Sequence, residues 1–278
     1  MYPFLHIFNI TISVYWLMIL ISLLAGFISL YHLGIKEGFK PKLLINAWLC
    51  IIMFGLLGGR IGFLLMDISN LKHPLDLLNF KDGGMLHSGA LIVAFGACYI
   101  YLITQKANPL KFGDAVAPFI ALNFGIIKIA CLLHGCCFGG ITVLPWAITF
   151  PVNSPAFNKH LSSGLIHSNA VCSLPVHPTQ IYLIIMSFAI FFFLLLIYKK
   201  KKFNSQIFII FIFLFATGRF FIEFTADSQR ITGPFSIIHI ISIIMIIAGL
   251  LYIYFYNKNT WGLKDYLMSN HEKDSFTI

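Results

Sequence analysis

Seven apolar stretches, at about residues 11–31, 45–66, 86–104, 115–133, 179–198, 206–224 and 235–256, fix what this 278-residue chain can become. Each approaches the twenty or so residues that an α-helix needs to cross the hydrocarbon of a bilayer. Only 10% of the residues are charged, against about a quarter in soluble domains, so little is left to build a separate soluble domain. Lipid offers no partner to backbone N–H and C=O groups, and a helix satisfies them within the segment. The expected fold is therefore an all-α polytopic membrane protein with seven transmembrane helices, a single transmembrane domain over 1–278.

The basic residues set its orientation. One set of alternating connections carries Lys36, Lys40, Lys42, Lys106, Lys111, Lys199, Lys200, Lys201, Lys202, Lys258, Lys264 and Lys273; the other carries Lys72, Lys81, Lys159 and Arg230. Such a bias predicts that the first set is cytoplasmic, with the N-terminus outside and the C-terminus inside. The net charge of +9 thus follows the membrane and calls for no nucleic acid. Lys199 to Lys202 reads as the cytoplasmic stop of the fifth helix, with attraction to anionic lipid as a secondary effect. The first stretch lacks a basic n-region and a small-residue cleavage site, and reads as a retained helix rather than a removed signal peptide. Outer connections fall at 67–85 and 134–178. The second, rich in Gly, Pro and aromatic residues, predicts re-entrant backbone over a central cavity.

Three cations interrupt the apolar stretches: Arg60, Lys128 and Arg219. An ionisable side chain at membrane depth costs about 2.5–3.5 kcal/mol on insertion scales, so it faces a protein-lined cavity and binds something, here an anion. The competing reading is snorkelling to an interface. Arg219 has Glu223 one helical turn on, a spacing suited to an acid that orients the guanidinium. Arginine is the better bidentate phosphate ligand, which puts Arg60 and Arg219 ahead of Lys128, a point charge.

Several short motifs occur in order along the chain. They are Gly58-Gly59-Arg60-Ile61-Gly62, Asp82-Gly83-Gly84-Met85, His177-Pro178-Thr179-Gln180-Ile181-Tyr182 and Gly218-Arg219-Phe220-Phe221-Ile222-Glu223-Phe224. In this order the chain resembles the bacterial prolipoprotein diacylglyceryl transferases, and Tyr15 and Asp114 fall where that family has a tyrosine and an aspartate. The resemblance implies transfer of the diacylglyceryl group of phosphatidylglycerol to a lipobox cysteine thiol at the outer face of the inner membrane. It implies a phospholipid donor, an exported prolipoprotein or other thiol acceptor, and no metal or organic cofactor. It further implies a catalytic group of Arg219, Lys128, His87, Cys136 and Glu223. A donor-binding set of Arg60, Tyr15, Gly83, Gly84, Ser88, Asp114, His134, Gly139, His177 and Gln180 completes it.

The family signature resembles Gly-x-Gly-Arg-x-Gly-Asn-Phe-x-Asn-Gly-Glu-x-x-Gly, and here the chain departs from it. Lys128 stands for the arginine, Cys131 for the asparagine and Cys136 for the glutamate; the family histidine aligns with Ser88, with His87 one residue away. Cys50 and Cys98 read as small core residues. For Cys131, Cys136 and Cys137 three readings stay open: a disulfide to Cys172, a soft-metal site with His134, or a nucleophile deprotonated by Lys128 or His134. His177 before Pro178 reads either as helix-entry geometry or as a head-group contact. Two other functions compete with the transferase, a membrane thiol oxidoreductase or thiol-linked acyl carrier and a non-catalytic lipid- or peptide-binding protein.

Overall fold

A computed structural model describes residues 4–7, 10–66, 87–228 and 230–274, with side chains for 14, 16–65, 89–228, 230–231 and 233–256. The outer connection 67–85 with Gly83 and Gly84, and the side chains of Tyr15, His87 and Ser88, lie outside the described residues. A two-stranded hairpin, β1 (Phe4–Ile7) and β2 (Ile10–Ser13), pairs Phe4 with Ser13 and Ile7 with Ile10. It runs into α1 (Val14–Lys36), which is followed by α2 (Pro41–Met66), α3 (His87–Thr104) and α4 (Pro109–His134). A short α5 (Pro155–Ser162), then α6 (Thr179–Tyr198) and α7 (Gln206–Glu223), precede a second hairpin of β3 (Arg230–Thr232) and β4 (Phe235–Ser236). The last helix, α8, runs from Ile237 to Asp274.

The chain is a polytopic membrane protein in which, among the described residues, six helices are long and apolar enough to cross a bilayer. The third of the seven expected spans is the exception. Its helix, α3, has 18 residues, as many as α7, and its apolar stretch with described side chains is Gly89–Thr104. The first span starts at Val14 and not at residue 11, because Ile10–Ser13 is spent on the hairpin. The fourth begins six residues earlier than expected, at Pro109, whose fixed φ suits a first helical turn.

The described residues fall into two compact units, one of Met1–Ile21, Phe124–Leu194 and Ile209–Ile278, the other of Ser22–Asn123 and Leu195–Phe208. In the second, Leu30, Leu33, Leu44, Ala47, Cys98, Leu102, Phe112, Ala115, Val116 and Phe119 form the core. Cys98 is the packing residue its sequence context predicts. Helices α2 and α3 meet backbone to backbone: a Cβ on Gly58 would stand 2.6 Å from the Gly89 carbonyl oxygen, and one on Gly89 would stand 3.1 Å from Gly62 Cα. The spacing Gly58-x-x-x-Gly62 is thus a small-residue seam of the kind that lets membrane helices approach closely. It fixes the helix that carries Arg60, which is buried with its guanidinium 5.6 Å from the centre of the Phe63 ring.

Asp114, expected to bind donor, anchors a helix terminus instead. Its buried carboxylate accepts the Ser205 N–H at 2.7 Å and the Phe208 N–H at 3.0 Å, donors at the start of α7 that have no intrahelical partner. Lys201 Nζ lies 3.2 Å from Asp114 and 2.6 Å from Glu37, which also accepts the Tyr198 hydroxyl at 2.9 Å. The lysine run 199–202 is therefore not wholly a solvated stop, since Lys201 is folded into this network. Replacing Asp114 by Ala strands two buried donors, at about 1–3 kcal/mol each. Thermal unfolding in detergent should show Asp114→Ala several degrees less stable than the parent, with Asp114→Asn, which keeps an acceptor, between them.

Candidate active site

One end of the first unit is built by the termination of α4. Gly135, at φ 80°, leaves the helix in the left-handed region, and its N–H bonds to the carbonyls of Cys131 at 2.9 Å and Leu132 at 3.2 Å. The Cys136 N–H bonds to the same Cys131 carbonyl at 3.1 Å. This is a Schellman cap, and it folds Cys136 back over the turn that holds Cys131. Cys137 follows at φ 58°, a conformation that costs a non-glycine residue energy unless its surroundings hold it. The motif at the start of α6 supplies that hold. Thr179 Oγ1 donates to the Cys137 carbonyl at 2.7 Å and Gln180 Nε2 to the Cys136 carbonyl at 2.8 Å, both from fully buried side chains.

The three sulfurs converge: those of Cys131, Cys136 and Cys137 lie within 4.8 Å of one another, with Cys131 and Cys137 at 3.8 Å. The six cysteines form no disulfide, so the expected bridge to Cys172 is not present. Cys172 instead lies on a bridge opposite Pro151. Hydrogen bonding with Cys131 and then Cys137, followed by burial, pushes the Cys136 thiol up. His134 is exposed at the end of α4 and outside the sulfur cluster.

The connection 134–178 is folded and has its own apolar centre, Phe150, Ala156 and Val176, with Phe138 and Ile148 packed on it. Ser154 caps α5 by accepting the Phe157 N–H at 3.2 Å, and Pro155 takes the first helical position. Gly139 is where the connection meets its neighbours. Its N–H donates to the His177 carbonyl at 3.0 Å, and a Cβ there would collide with the Thr225 carbonyl oxygen and stand 2.6 Å from His177 Cβ. Gly139, His177 and Gln180 thus shape the site through the backbone. The His177 ring meets Tyr182 edge-on at 6.4 Å, and Trp146 Nε1 donates to the Tyr182 hydroxyl at 2.7 Å.

On α7, Arg219 Nη2 is 2.9 Å from Glu223 Oε2, and Glu223 is fully buried. Its other oxygen accepts the Ser236 hydroxyl at 2.8 Å and also the Ser228 hydroxyl. At the start of α8 the Ser236 N–H donates to His239 Nδ1 at 3.0 Å, the return half of a capping-box pairing with histidine in the usual place of glutamate. Arg230 donates to the carbonyls of Glu223, Phe224, Ala226 and Pro234, closing the end of α7. The sequence reading missed Ser228, Arg230, Ser236 and His239, although Ser236-x-x-His239 at a helix start was a visible signal. Lys128 lies with its ammonium 5.1 Å from the centre of the Phe124 ring. Lys128 acts electrostatically on Cys131, and Arg219 on Cys137, so cations and thiols share one neighbourhood. Arg60 and Asp114 belong to the other unit.

The family model for prolipoprotein diacylglyceryl transferase matches residues 3–255. The chain belongs to the prolipoprotein diacylglyceryl transferase family. A phosphatidylglycerol–prolipoprotein diacylglyceryl transferase of Clostridium tetani is 32% identical over 248 residues, covering 88% of this chain and 93% of the relative. A second so named, number 2 of Clostridium perfringens, is 30% identical over 257 residues, 91% and 93% of the two chains. One from Clostridioides difficile is 29% identical over 255 residues, 91% and 94%. Within this family's frame the packing at Gly139 makes a sharp test. Gly139→Ala should lower the unfolding temperature and the yield of folded protein, whereas Gly140→Ala, with nothing within 4 Å of its Cβ, should leave both unchanged.

Proposed function

We propose that this chain transfers the diacylglyceryl group of phosphatidylglycerol to the cysteine thiol of a prolipoprotein. The acceptor sulfur attacks the glycerol carbon that bears the phosphate ester, the C–O bond breaks, and glycerol phosphate leaves with the bond's electrons while the thiol proton is lost. The observation that carries this reading is the Arg219–Glu223 ion pair at membrane depth, its carboxylate fully buried. Such a cation, fixed before the reaction, is aimed at the charge that grows on a departing phosphate. Glu223 already accepts from Ser236 and Ser228, which suits a carboxylate that orients Arg219 better than a free base. Lys128 is assigned to the same charge as a point cation; the resemblance keeps Arg60 and Ser88 in the donor-binding set and His87 in the catalytic group. The oxidoreductase, acyl-carrier and non-catalytic readings are not favoured, because the family match runs through nearly the whole chain and its relatives are named as transferases.

The deciding experiment is complementation of a strain depleted of its own diacylglyceryl transferase, with mass spectrometry of a reporter lipoprotein. Lipidated reporter is expected with the parent chain. Arg219→Gln should lower turnover at least about 100-fold, the usual loss when one preorganised donor to a developing anion is removed. Arg60→Gln should weaken donor use with membrane insertion intact; near-normal turnover by both folded variants would refute the phosphate assignment.

The finer topology belongs to the same proposal. With α3 as a seventh span, the N-terminus and the site face the exterior of the bacterial inner membrane and the C-terminus faces the cytoplasm, in line with the basic bias of the connections. Reporter fusions after residues 108 and 203 should register cytoplasm and a fusion after residue 160 the exterior. A cytoplasmic signal at residue 160 would put the cysteine turn on the wrong side for an exported acceptor.

A further inference from the structure

The three converging thiols are not used by the phosphate chemistry. We propose that Cys131, Cys136 and Cys137 form a three-thiolate site for a zinc-class ion, whose fourth coordination position takes the thiol of the acceptor polypeptide. The acceptor half of this statement rests on the transferase reading; the metal half rests on geometry alone. With metal–sulfur bonds of about 2.3 Å, the sulfurs of a tetrahedral site stand about 3.8 Å apart and those of a trigonal site about 4.0 Å. Cys131 and Cys137 stand at 3.8 Å, and all three sulfurs lie within 4.8 Å. The resemblance implies no metal, while the residues left a soft-metal site open as one reading; the arrangement of the sulfurs favours that reading.

The backbone around the cluster has the character of a preformed ligand shell. The Schellman cap fixes Cys136 against Cys131, and the Thr179 and Gln180 side chains hold the Cys137 and Cys136 carbonyls. Supporting hydrogen bonds of this kind orient ligands before the ion arrives. Cys131 is buried, Cys136 half-buried and Cys137 exposed, which leaves the open side of the site toward the exposed sulfur. Three protein ligands with one position open is the pattern of catalytic rather than structural zinc. Binding would release three thiol protons and leave the divalent ion with its three thiolates at a net charge of −1. Lys128 and Arg219, which act on Cys131 and Cys137, offset that charge. A fourth thiol entering this site loses its proton to solvent and stays at the metal as a thiolate, the nucleophilic form.

The test uses the full chain in detergent, reduced, first stripped with a chelator and then titrated with Zn2+ or Co2+. Close to one metal ion per chain is expected, with a thiolate-to-cobalt charge-transfer band. Cys131→Ser, Cys136→Ser and Cys137→Ser should each weaken binding at least about tenfold, while Cys172→Ser should not. A lipobox peptide should change the cobalt spectrum, and the same peptide with serine for its cysteine should not. Absence of stoichiometric binding, binding unaffected by the triple serine variant, or a spectrum unmoved by the cysteine peptide overturns the proposal. Lipidation of the reporter, measured on the same preparations, separates the two readings. Full turnover by metal-free protein overturns the metal site and leaves the transferase standing, whereas a site that binds cobalt and the peptide thiol without any transfer upholds the site and overturns the transferase.

Discussion

The buried Glu223 carboxylate is the group on which the outer end of the molecule depends. A lone carboxylate taken out of water is prohibitively costly, so it must be matched on every side. Arg219 matches its charge from one turn away on α7, and the hydroxyls of Ser236 and Ser228 match its remaining acceptor capacity. Ser236 also bonds through its N–H to His239 at the start of α8, and Arg230 closes the carbonyl end of α7. One carboxylate thereby ties two helix ends together and fixes the direction in which Arg219 points. Removing any partner would leave charge uncompensated where water cannot replace it.

The same rule operates in the second unit with the sign of the arrangement changed. There Lys201 is the half-buried cation, and Asp114 and Glu37 are its partners. Asp114 adds two backbone donors at the start of α7. The α7 helix is thus secured at its first turn by Asp114 and at its last by Arg230. A helix held at both ends is a firmer platform for Arg219 than apolar packing alone would give, because lipid tails compete with side chains for apolar contact.

Much of the candidate site was legible as residues and not as roles. Arg219 with Glu223 could be read from a four-residue spacing, since helical geometry makes neighbours of such pairs. Gln180 and Gly139 were read as donor-binding residues. The structure has Gln180 holding a cysteine carbonyl and Gly139 making room for a carbonyl on another segment. Asp114 also holds the start of a distant helix, which in sequence looks like any intramembrane acid. The role of Thr179 was not legible, since its partner lies 42 residues away.

The sequence by itself determined that this chain lives in a membrane, roughly where its helices run, and which family it belongs to. Those properties reside in apolar run length and short local motifs, and neither needs a distant contact to be read. Tertiary structure alone decided that residues 134–178 form a folded cover with its own core, that Lys201 turns inward, and that three cysteines converge on one point. Each of these depends on pairings across tens of residues, and on a left-handed turn at Gly135 and Cys137 whose consequence for Cys131 no local pattern contains. Sulfur-to-sulfur distance is a property of the turn, and the turn is stabilised from α6.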